Sequence, residues 1–393
     1  MHIFYDDNMP FAKEVFSTLG TAQEFNHAEI PHLDVSGVDA LMIRSTTKVD
    51  EHLVERLTQC KYVATATAGY NHLDLEALAK TNKGVYHAAG CNAQAVSEYA
   101  LSAVLYALLE TNKIRLQDPI TVLQNLSVGI VGVGQVGSRV AQKFTALGCE
   151  IHLYDPPRAK AENNAALNDF SAILDCDIIC LHAPLVKTGE TPTEHLFDAN
   201  VLAQLKPEQI LLNAGRGEVI DNQALLALYE SQAMPTLILD VWENEPNILS
   251  ALIPHCLIAT PHIAGHSLEG KTRGTFMLYA WLAEQVGQPA TLAMSDFLPK
   301  CHKAYACHDD VLSVESLTTL VWAVYDIAID NREFVTEMAQ SPCFAELRKA
   351  YRNPKFSSTA MVRREFSVLE VTCSSLVTQD ILGALGFVTT RLI

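Results

Sequence analysis

Three residues, each just after a short apolar run, form a set able to move a proton beside a carboxylate: Arg216, Glu245 and His262. Arg216 stands in Asn213-Ala214-Gly215-Arg216-Gly217, Glu245 in Asp240-Val241-Trp242-Glu243-Asn244-Glu245-Pro246, and His262 in Pro261-His262-Ile263-Ala264-Gly265. An imidazole titrates near neutral pH, so His262 can take a hydroxyl proton and give it back. A carboxylate at Glu245 can hold the other ring nitrogen and stabilise the charged ring. Arg216 offers a permanent planar cation whose paired donors suit a carboxylate and can polarise a neighbouring oxygen. Plainer readings stay open: a structural Arg216–Glu245 ion pair, a core histidine at 262, and Asp240 as the cap of the turn that follows it.

A second group lies upstream. Gly132, Gly134 and Gly137, with Gln135 and Val136 between them, follow the apolar run Val128 to Val131 and open an amphipathic stretch. Small residues there permit a tight turn, close approach of a pyrophosphate to a helix N-terminus, and close helix–strand packing. Asp155 ends the next apolar run, 18 residues after Gly137, where its carboxylate can accept hydrogen bonds from the adenosine ribose hydroxyls. A 2′-phosphate would meet like charge there, so NAD is expected over NADP. Arg158, three residues on, is the one charge that works against this preference.

These side chains need a frame, and the apolar pattern supplies one. Short runs at Ile3-Phe4-Tyr5, Ala40 to Ile43, Tyr62-Val63-Ala64 and Val85-Tyr86 alternate with amphipathic stretches such as Ala12 to Leu19 and Val54 to Cys60, the rhythm of a parallel α/β unit. A helix over Ala93 to Leu109 is expected to lead into six further buried strands, near residues 128, 151, 178, 210, 237 and 257. An amphipathic stretch from Ser267 to Val286 is expected to recross to the first domain and leave the active site in a cleft. Beyond Gly287 the pattern predicts helices at Val314 to Ile329, Phe344 to Tyr351 and Ser374 to Leu385, with a strand near Phe366 to Val371.

Composition narrows the class. With 393 residues, 49% of them hydrophobic, the chain is too long for a single core and implies two or three domains. A net charge of −17 argues against a nucleic-acid-binding surface, so any anionic substrate must be held by local cations. No apolar run is long enough to suggest a membrane span, and the N-terminus reads as a first strand, so a cytoplasmic protein is expected. Ten cysteines lie without a disulfide-like spacing. Cys301-His302 with Cys307-His308 could offer metal ligands, but neighbouring residues rarely converge on one ion, and no metal is expected.

In the order and spacing of its motifs the chain resembles the D-isomer-specific 2-hydroxyacid dehydrogenase family. Further stretches, including Asp7-Asn8-Met9-Pro10, Met42-Ile43-Arg44-Ser45, Thr65-Ala66-Thr67-Ala68-Gly69, Tyr154 to Arg158 and Leu268 to Lys271, narrow the resemblance to a branch acting on a phosphorylated acid. The resemblance implies two doubly wound parallel-sheet domains: a flavodoxin-like substrate domain from 1–110 with 265–287, and a Rossmann-type NAD domain from 111–264. A small α+β dimerisation domain from 288–393 would make the protein a homodimer; apolar Leu317, Leu320, Val321, Val324 and Ile327 recur at helical spacing there and need a covering surface, within the chain or from a partner.

The resemblance also implies the chemistry: oxidation of the 2-hydroxyl of a small phosphorylated 2-hydroxy acid, with hydride passing to NAD. His262 is then the general base, Glu245 orients it, and Arg216 binds the carboxylate and C2 oxygen. Asp240 and Gly265 would contact the cofactor, as would backbone around Gln135, Val136, Ala183 and Ala214. Ser45 and Thr67 would contact substrate, with Arg44, Lys48 and Lys271 as phosphate donors. His266 stands where relatives carry an aromatic hydroxyl, and its imidazole can still donate to phosphate or hydroxyl. Arg348, Lys349 and Arg352 are expected on a solvated face, or completing the phosphate site of a second subunit. Another acid such as 3-phosphoglycerate, or an NADH-responsive corepressor role, would leave much of this set in place.

Overall fold

Residues 1–231, 233–299, 304–351 and 362–392 are described in the computed structural model. The chain divides into two compact units, Met1–Ala93 with His266–Lys300, and Gln94–Gly265 with Cys301–Ile393.

The first unit is built on strands β1 (His2–Asp6), β2 (Thr21–Phe25), β3 (Ala40–Ile43), β4 (Tyr62–Thr65) and β5 (Gly84–His87), all parallel in the order β2-β1-β3-β4-β5. Strand β3 is buried at all four residues, as a central strand covered on both faces must be. Strand β2 was not expected: at the edge it buries only Phe25, and its polar residues hide the strand in the sequence. Asp50 and Asp74 start the two helices that follow β3 and β4, accepting the amide N–H of Leu53 (3.1 Å) and Ala77 (2.9 Å). The returning helix Leu268–Gln285 starts at Ser267, whose hydroxyl accepts the Gly270 N–H at 2.9 Å. Its Leu278, Tyr279 and Leu282 pack with Ile3, Val15 and Phe16, which makes a distant stretch of sequence part of this core.

The second unit holds a six-stranded parallel sheet of β6 (Ser127–Val131), β7 (Glu150–Tyr154), β8 (Ile178–Leu181), β9 (Ile210–Asn213), β10 (Thr236–Leu239) and β11 (Cys256–Ala259). Its order, β11-β10-β9-β8-β6-β7, reverses direction between β6 and β8, and in doubly wound sheets ligands bind at the carboxyl ends beside such a reversal. The glycine loop leaves the end of β6 and enters helix Gln135–Ala146.

The C-terminal stretch adds a third parallel sheet, β12 (Ala304–Cys307), β13 (Glu370–Cys373) and β14 (Val388–Arg391). Where one helix was expected from Val314 there are two, Val314–Val324 and Ile327–Gln340. Tyr325 is extended at the break, and Asp326 caps the second helix through the Ala328 N–H at 3.0 Å. The strand expected from Phe366 starts later, because Phe366–Val368 forms a tight 3-10 turn. Leu317, Leu320, Val321 and Ile327 are buried with Val104, Leu108, Ile130 and Ile258, so the apolar stripe finds its covering surface inside this chain. Asn331 continues the sheet in miniature at its edge, accepting the Ala259 N–H at 2.9 Å and donating to the Leu257 carbonyl at 3.1 Å.

Cys307 is a buried strand residue and His308 is exposed, while Cys301 and His302 lie outside the described residues, as does Arg352. Among the described residues, no helix is long and apolar enough to cross a membrane.

Candidate active site

The turn after β9 explains the Asn-x-x-Arg spacing. The Asn213 side chain spans it, accepting the Gly215 N–H at 3.1 Å and donating to the Arg216 carbonyl at 3.0 Å. Gly217 has to be glycine, since a Cβ there would overlap the Trp242 carbonyl group. The Arg216 guanidinium is half-buried and donates to the Gly215 carbonyl at 2.8 Å. Burial lowers its pKa, and the carboxylate of Glu245 works in the other direction.

Glu245 and His262 meet across the ends of β10 and β11, with His262 Nδ1 2.7 Å from Glu245 Oε2. The other carboxylate oxygen accepts the Trp242 N–H at 3.0 Å. Burial raises the Glu245 pKa, but the bond and charge of His262, the charge of Arg348 and the Trp242 amide outweigh it and hold the carboxyl below its ordinary value. An ionised Glu245 can only accept, so Nδ1 of His262 carries the proton and Nε2 is left for a reacting hydroxyl.

His262 has a left-handed backbone, φ 56°, uncommon for a residue with a side chain. The loop is held in it by Asp240. The Asp240 carbonyl accepts the His262 N–H at 2.7 Å. One carboxylate oxygen accepts from Ile263 N–H and the Thr260 hydroxyl, both at 2.7 Å, and the other accepts the Ala264 N–H at 3.0 Å. Since Thr260 donates to Asp240, the Tyr99 hydroxyl 2.7 Å away donates to Thr260. Asp240 is 1% exposed; burial raises its pKa against the pull of His262 and these donors. Both of its oxygens therefore serve the loop that carries His262.

Two residues at this site have contacts that the sequence did not show. His195 Nε2 lies 2.6 Å from Glu243 Oε1, and the other oxygen of Glu243 accepts the Asn222 N–H at 2.7 Å, bracing the loop that delivers Glu245. Asp221 lies nearby, but these carboxylates are spent on backbone and imidazole donors. Arg348, read from sequence as a solvated charge, comes from helix Phe344–Ala350 and places Nη1 3.8 Å from Glu245 Oε2. A separation of about a hundred residues hides this proximity from any local pattern. Lys349 beside it is exposed.

At the glycine turn the three glycines have separate physical reasons. Gly132 has φ 84°, and a Cβ there would lie 2.6 Å from the Ala183 backbone. At Gly137 a Cβ would run into the Gly132 carbonyl oxygen, whereas at Gly134 it would meet nothing within 4 Å. The first and last glycine thus close the turn, and the middle one fronts open space at the start of the helix. Asp155 follows β7, accepting the Val133 N–H from the glycine loop at 2.8 Å and the Arg158 N–H at 3.1 Å. Arg158 is turned to Glu162, Nε to Oε1 2.6 Å, and to the Val133 carbonyl, which uses the cation that favoured a 2′-phosphate. Gln135 is exposed and Val136 half-buried in the first helical turn, Ala183 is buried behind Gly132, and half-buried Ala214 donates its N–H to the Leu181 carbonyl at 3.2 Å. Gly265 lies three residues after His262. This cradle and carboxylate fit a dinucleotide.

In the first unit, Arg44 and Ser45 follow β3 and Thr67 follows β4, at the carboxyl ends of their strands. The Thr67 hydroxyl donates to the Gly69 carbonyl at 2.8 Å, so that of Thr65, also 2.8 Å away, donates to Thr67 and in turn accepts from His72 Nε2 at 2.9 Å. Burial pushes the His72 imidazole down to about 4, leaving it neutral and fixing its Nε2 proton. Burial, then the charge of Arg44, pushes the Lys271 ammonium down to about 8, so these two cations share one neighbourhood. Lys48 and Ser45 are exposed, and His266 is half-buried at the start of the returning segment.

The fold is that of a 2-hydroxyacid dehydrogenase: residues 102–264 match the D-isomer specific 2-hydroxyacid dehydrogenase, NAD binding domain, and residues 297–386 match a domain of unknown function, DUF3410. Two solved structures share the fold. One is a D-lactate dehydrogenase from Aquifex aeolicus complexed with NAD and lactic acid (TM-score 0.56, 21% identity, 72% of this chain and 95% of that one). The other is an NAD-dependent formate dehydrogenase from Staphylococcus aureus in complex with NAD (0.57, 22%, 74% and 97%). The chain is 45% identical to the erythronate-4-phosphate dehydrogenase of Pseudoalteromonas atlantica, over 98% of its own length and 99% of that protein. To the enzyme of that name from Idiomarina loihiensis it is 41% identical, over 95% and 94%. The chain belongs to the erythronate-4-phosphate dehydrogenase family.

Proposed function

We propose that this protein oxidises 4-phospho-D-erythronate to (R)-3-hydroxy-2-oxo-4-phosphooxybutanoate with NAD, a step toward pyridoxal 5′-phosphate. The observation that carries the chemistry is the 2.7 Å bond from His262 Nδ1 to an ionised Glu245. With Nδ1 committed, Nε2 of His262 takes the proton of the C2 hydroxyl as the C2–O bond becomes a carbonyl. NAD, when bound, accepts the hydride that leaves C2. Glu245 stabilises the imidazolium that results, and Arg216 binds the substrate carboxylate and polarises the C2 oxygen. Asp240 serves the nicotinamide end by fixing the His262 loop, Gly265 is a cofactor contact, and Asp155 serves the adenosine ribose.

For the substrate, Ser45 and Thr67 supply hydroxyl contacts, and His266 a donor. The neighbouring cations Arg44 and Lys271 suit a phosphate: a dianion placed between like charges relieves their repulsion and restores the ammonium. We further propose a cytoplasmic homodimer, with residues 288–393 as the dimerising region. Exposed Leu376 and Val377 on helix Leu376–Leu385, Val388 on β14 and Leu392 after it favour a covering partner, and none of the described cysteines is joined in a disulfide, as in a reducing compartment.

The test is NADH formation by the purified protein with 4-phosphoerythronate, 3-phosphoglycerate, D-glycerate and D-lactate in parallel. Turnover confined to the first and lost in Arg216→Ala and His262→Ala supports the assignment. Preference for another acid would move the substrate and make His266 the first residue to exchange.

A further inference from the structure

We propose that the C-terminal segment takes part in catalysis through one side chain: Arg363 is a positioning residue that holds the loop carrying His262. It lies within residues 297–386, the stretch matching a domain of unknown function. The inference rests on His262 being the general base.

Arg363 is 1% exposed, and a cation buried this deeply has to be surrounded by acceptors. Its guanidinium supplies three donations to backbone carbonyls. Nη1 reaches Ala264 at 2.8 Å and Ile263 at 3.3 Å, and Nη2 reaches Ala95, in the first turn of helix Ala93–Glu110, at 2.7 Å. The guanidinium carbon lies 3.8 Å from the centre of the Tyr325 ring, which fixes its plane. The segment is anchored independently: the Phe366 N–H donates to Glu98 at 3.0 Å, and Lys143 donates to the Leu385 carbonyl.

Two of the three carbonyls belong to Ile263 and Ala264, immediately after His262. The amide N–H groups of the same two residues are taken by Asp240. The loop is therefore gripped on its N–H side by Asp240 from the end of β10 and on its C=O side by Arg363 from the C-terminal segment. Such a grip is what a left-handed His262 requires, because that conformation persists only where its surroundings over-determine it. A lysine could not take over, since one ammonium cannot reproduce the two-pronged bridge between Ala264 and Ala95.

The experiment uses the full-length protein with Arg363→Lys and Arg363→Ala, and reads amide hydrogen exchange and steady-state kinetics together. Exchange across 260–266 should speed up by roughly tenfold or more in both variants, with strands β6 to β9 unaffected and NAD affinity within about twofold. The kcat should fall roughly ten- to hundredfold, and guanidinium ion added to Arg363→Ala should restore both readouts. A variant that keeps the protection of this loop and its kcat overturns the proposal. So does exchange that rises uniformly through the unit, since Arg363 would then support the fold and not the loop. If Arg363→Ala does not fold, Arg363→Lys decides on the same readouts. A wild type inactive on every acid would sink the proposed activity, and the exchange result would still judge the grip of Arg363.

Discussion

Replacing Glu245 with glutamine should lower kcat and leave substrate binding intact or slightly stronger. The Glu245 side chain is 18% exposed, so its 2.7 Å bond to His262 works largely out of solvent. A hydrogen bond to a charged group in such a place contributes about 1.5–3 kcal/mol, and glutamine keeps the shape while removing the charge and turning one of the two accepting atoms, which face His262 and the Trp242 N–H, into a donor. The charge matters most when the imidazole has accepted the proton, so the loss belongs to the transition state. At about 1.4 kcal/mol per tenfold, kcat should fall roughly ten- to 150-fold. Arg216 and Arg348 would lose the anion they share, so their combined pull on a substrate carboxylate should grow and KM should hold or fall. Steady-state NADH formation across a range of acid and NAD concentrations measures both parameters. A kcat within about threefold of wild type, or a KM rising in step with the loss, would refute the assignment of Glu245 as the partner of a charged His262.

The glycine turn gives a paired prediction. Gly134→Ala should melt like wild type without cofactor but lose the stabilisation NAD confers, since its new Cβ meets only open space, while Gly137→Ala, driven into the Gly132 carbonyl, should lower both melting temperatures. Equal behaviour of the two variants in thermal melts would contradict these separate roles. Asp240→Asn sets an amide N–H against a backbone N–H of the His262 loop, so the melting temperature and kcat should drop while NAD affinity by calorimetry stays within about threefold; a large loss of NAD affinity would show direct cofactor contact instead. Lys271 is a cation below its depressed pKa of about 8 and neutral above it. KM for the phosphorylated acid should therefore climb as pH passes about 8, and Lys271→Met should flatten the climb; a flat wild-type KM through that range would remove Lys271 from the phosphate site.

Much of the frame was legible because buried parallel strands are short apolar runs and their spacing survives in one dimension. All six strands of the nucleotide sheet could be placed from such runs, as could the returning helix from its amphipathic pattern. Strand β2 could not, because an exposed edge strand has no apolar signature, and neither could the break at Tyr325–Asp326, where the apolar periodicity continues past the point at which Asp326 begins a new helix. The stripe from Leu317 to Ile327 asked for a covering surface without saying whose; packing answered with strands and helices of the same chain.

The sequence by itself determined the chemistry available. The glycines, Asp155, Arg216, Glu245 and His262 are each set by short-range requirements: a turn with no room for a Cβ, a carboxylate at a strand end, an asparagine spanning the turn before an arginine. Tertiary structure decided what those residues are held by. That both oxygens of Asp240 serve the His262 loop, that His195 braces Glu243, and that Arg348 and Arg363 arrive from the far end of the chain are facts of close packing between segments separated in sequence, by about a hundred residues for the two arginines. No local pattern encodes them, because a hydrogen bond depends on distance and angle in space, and these are fixed only once the sheet and the C-terminal segment have closed around the same loop.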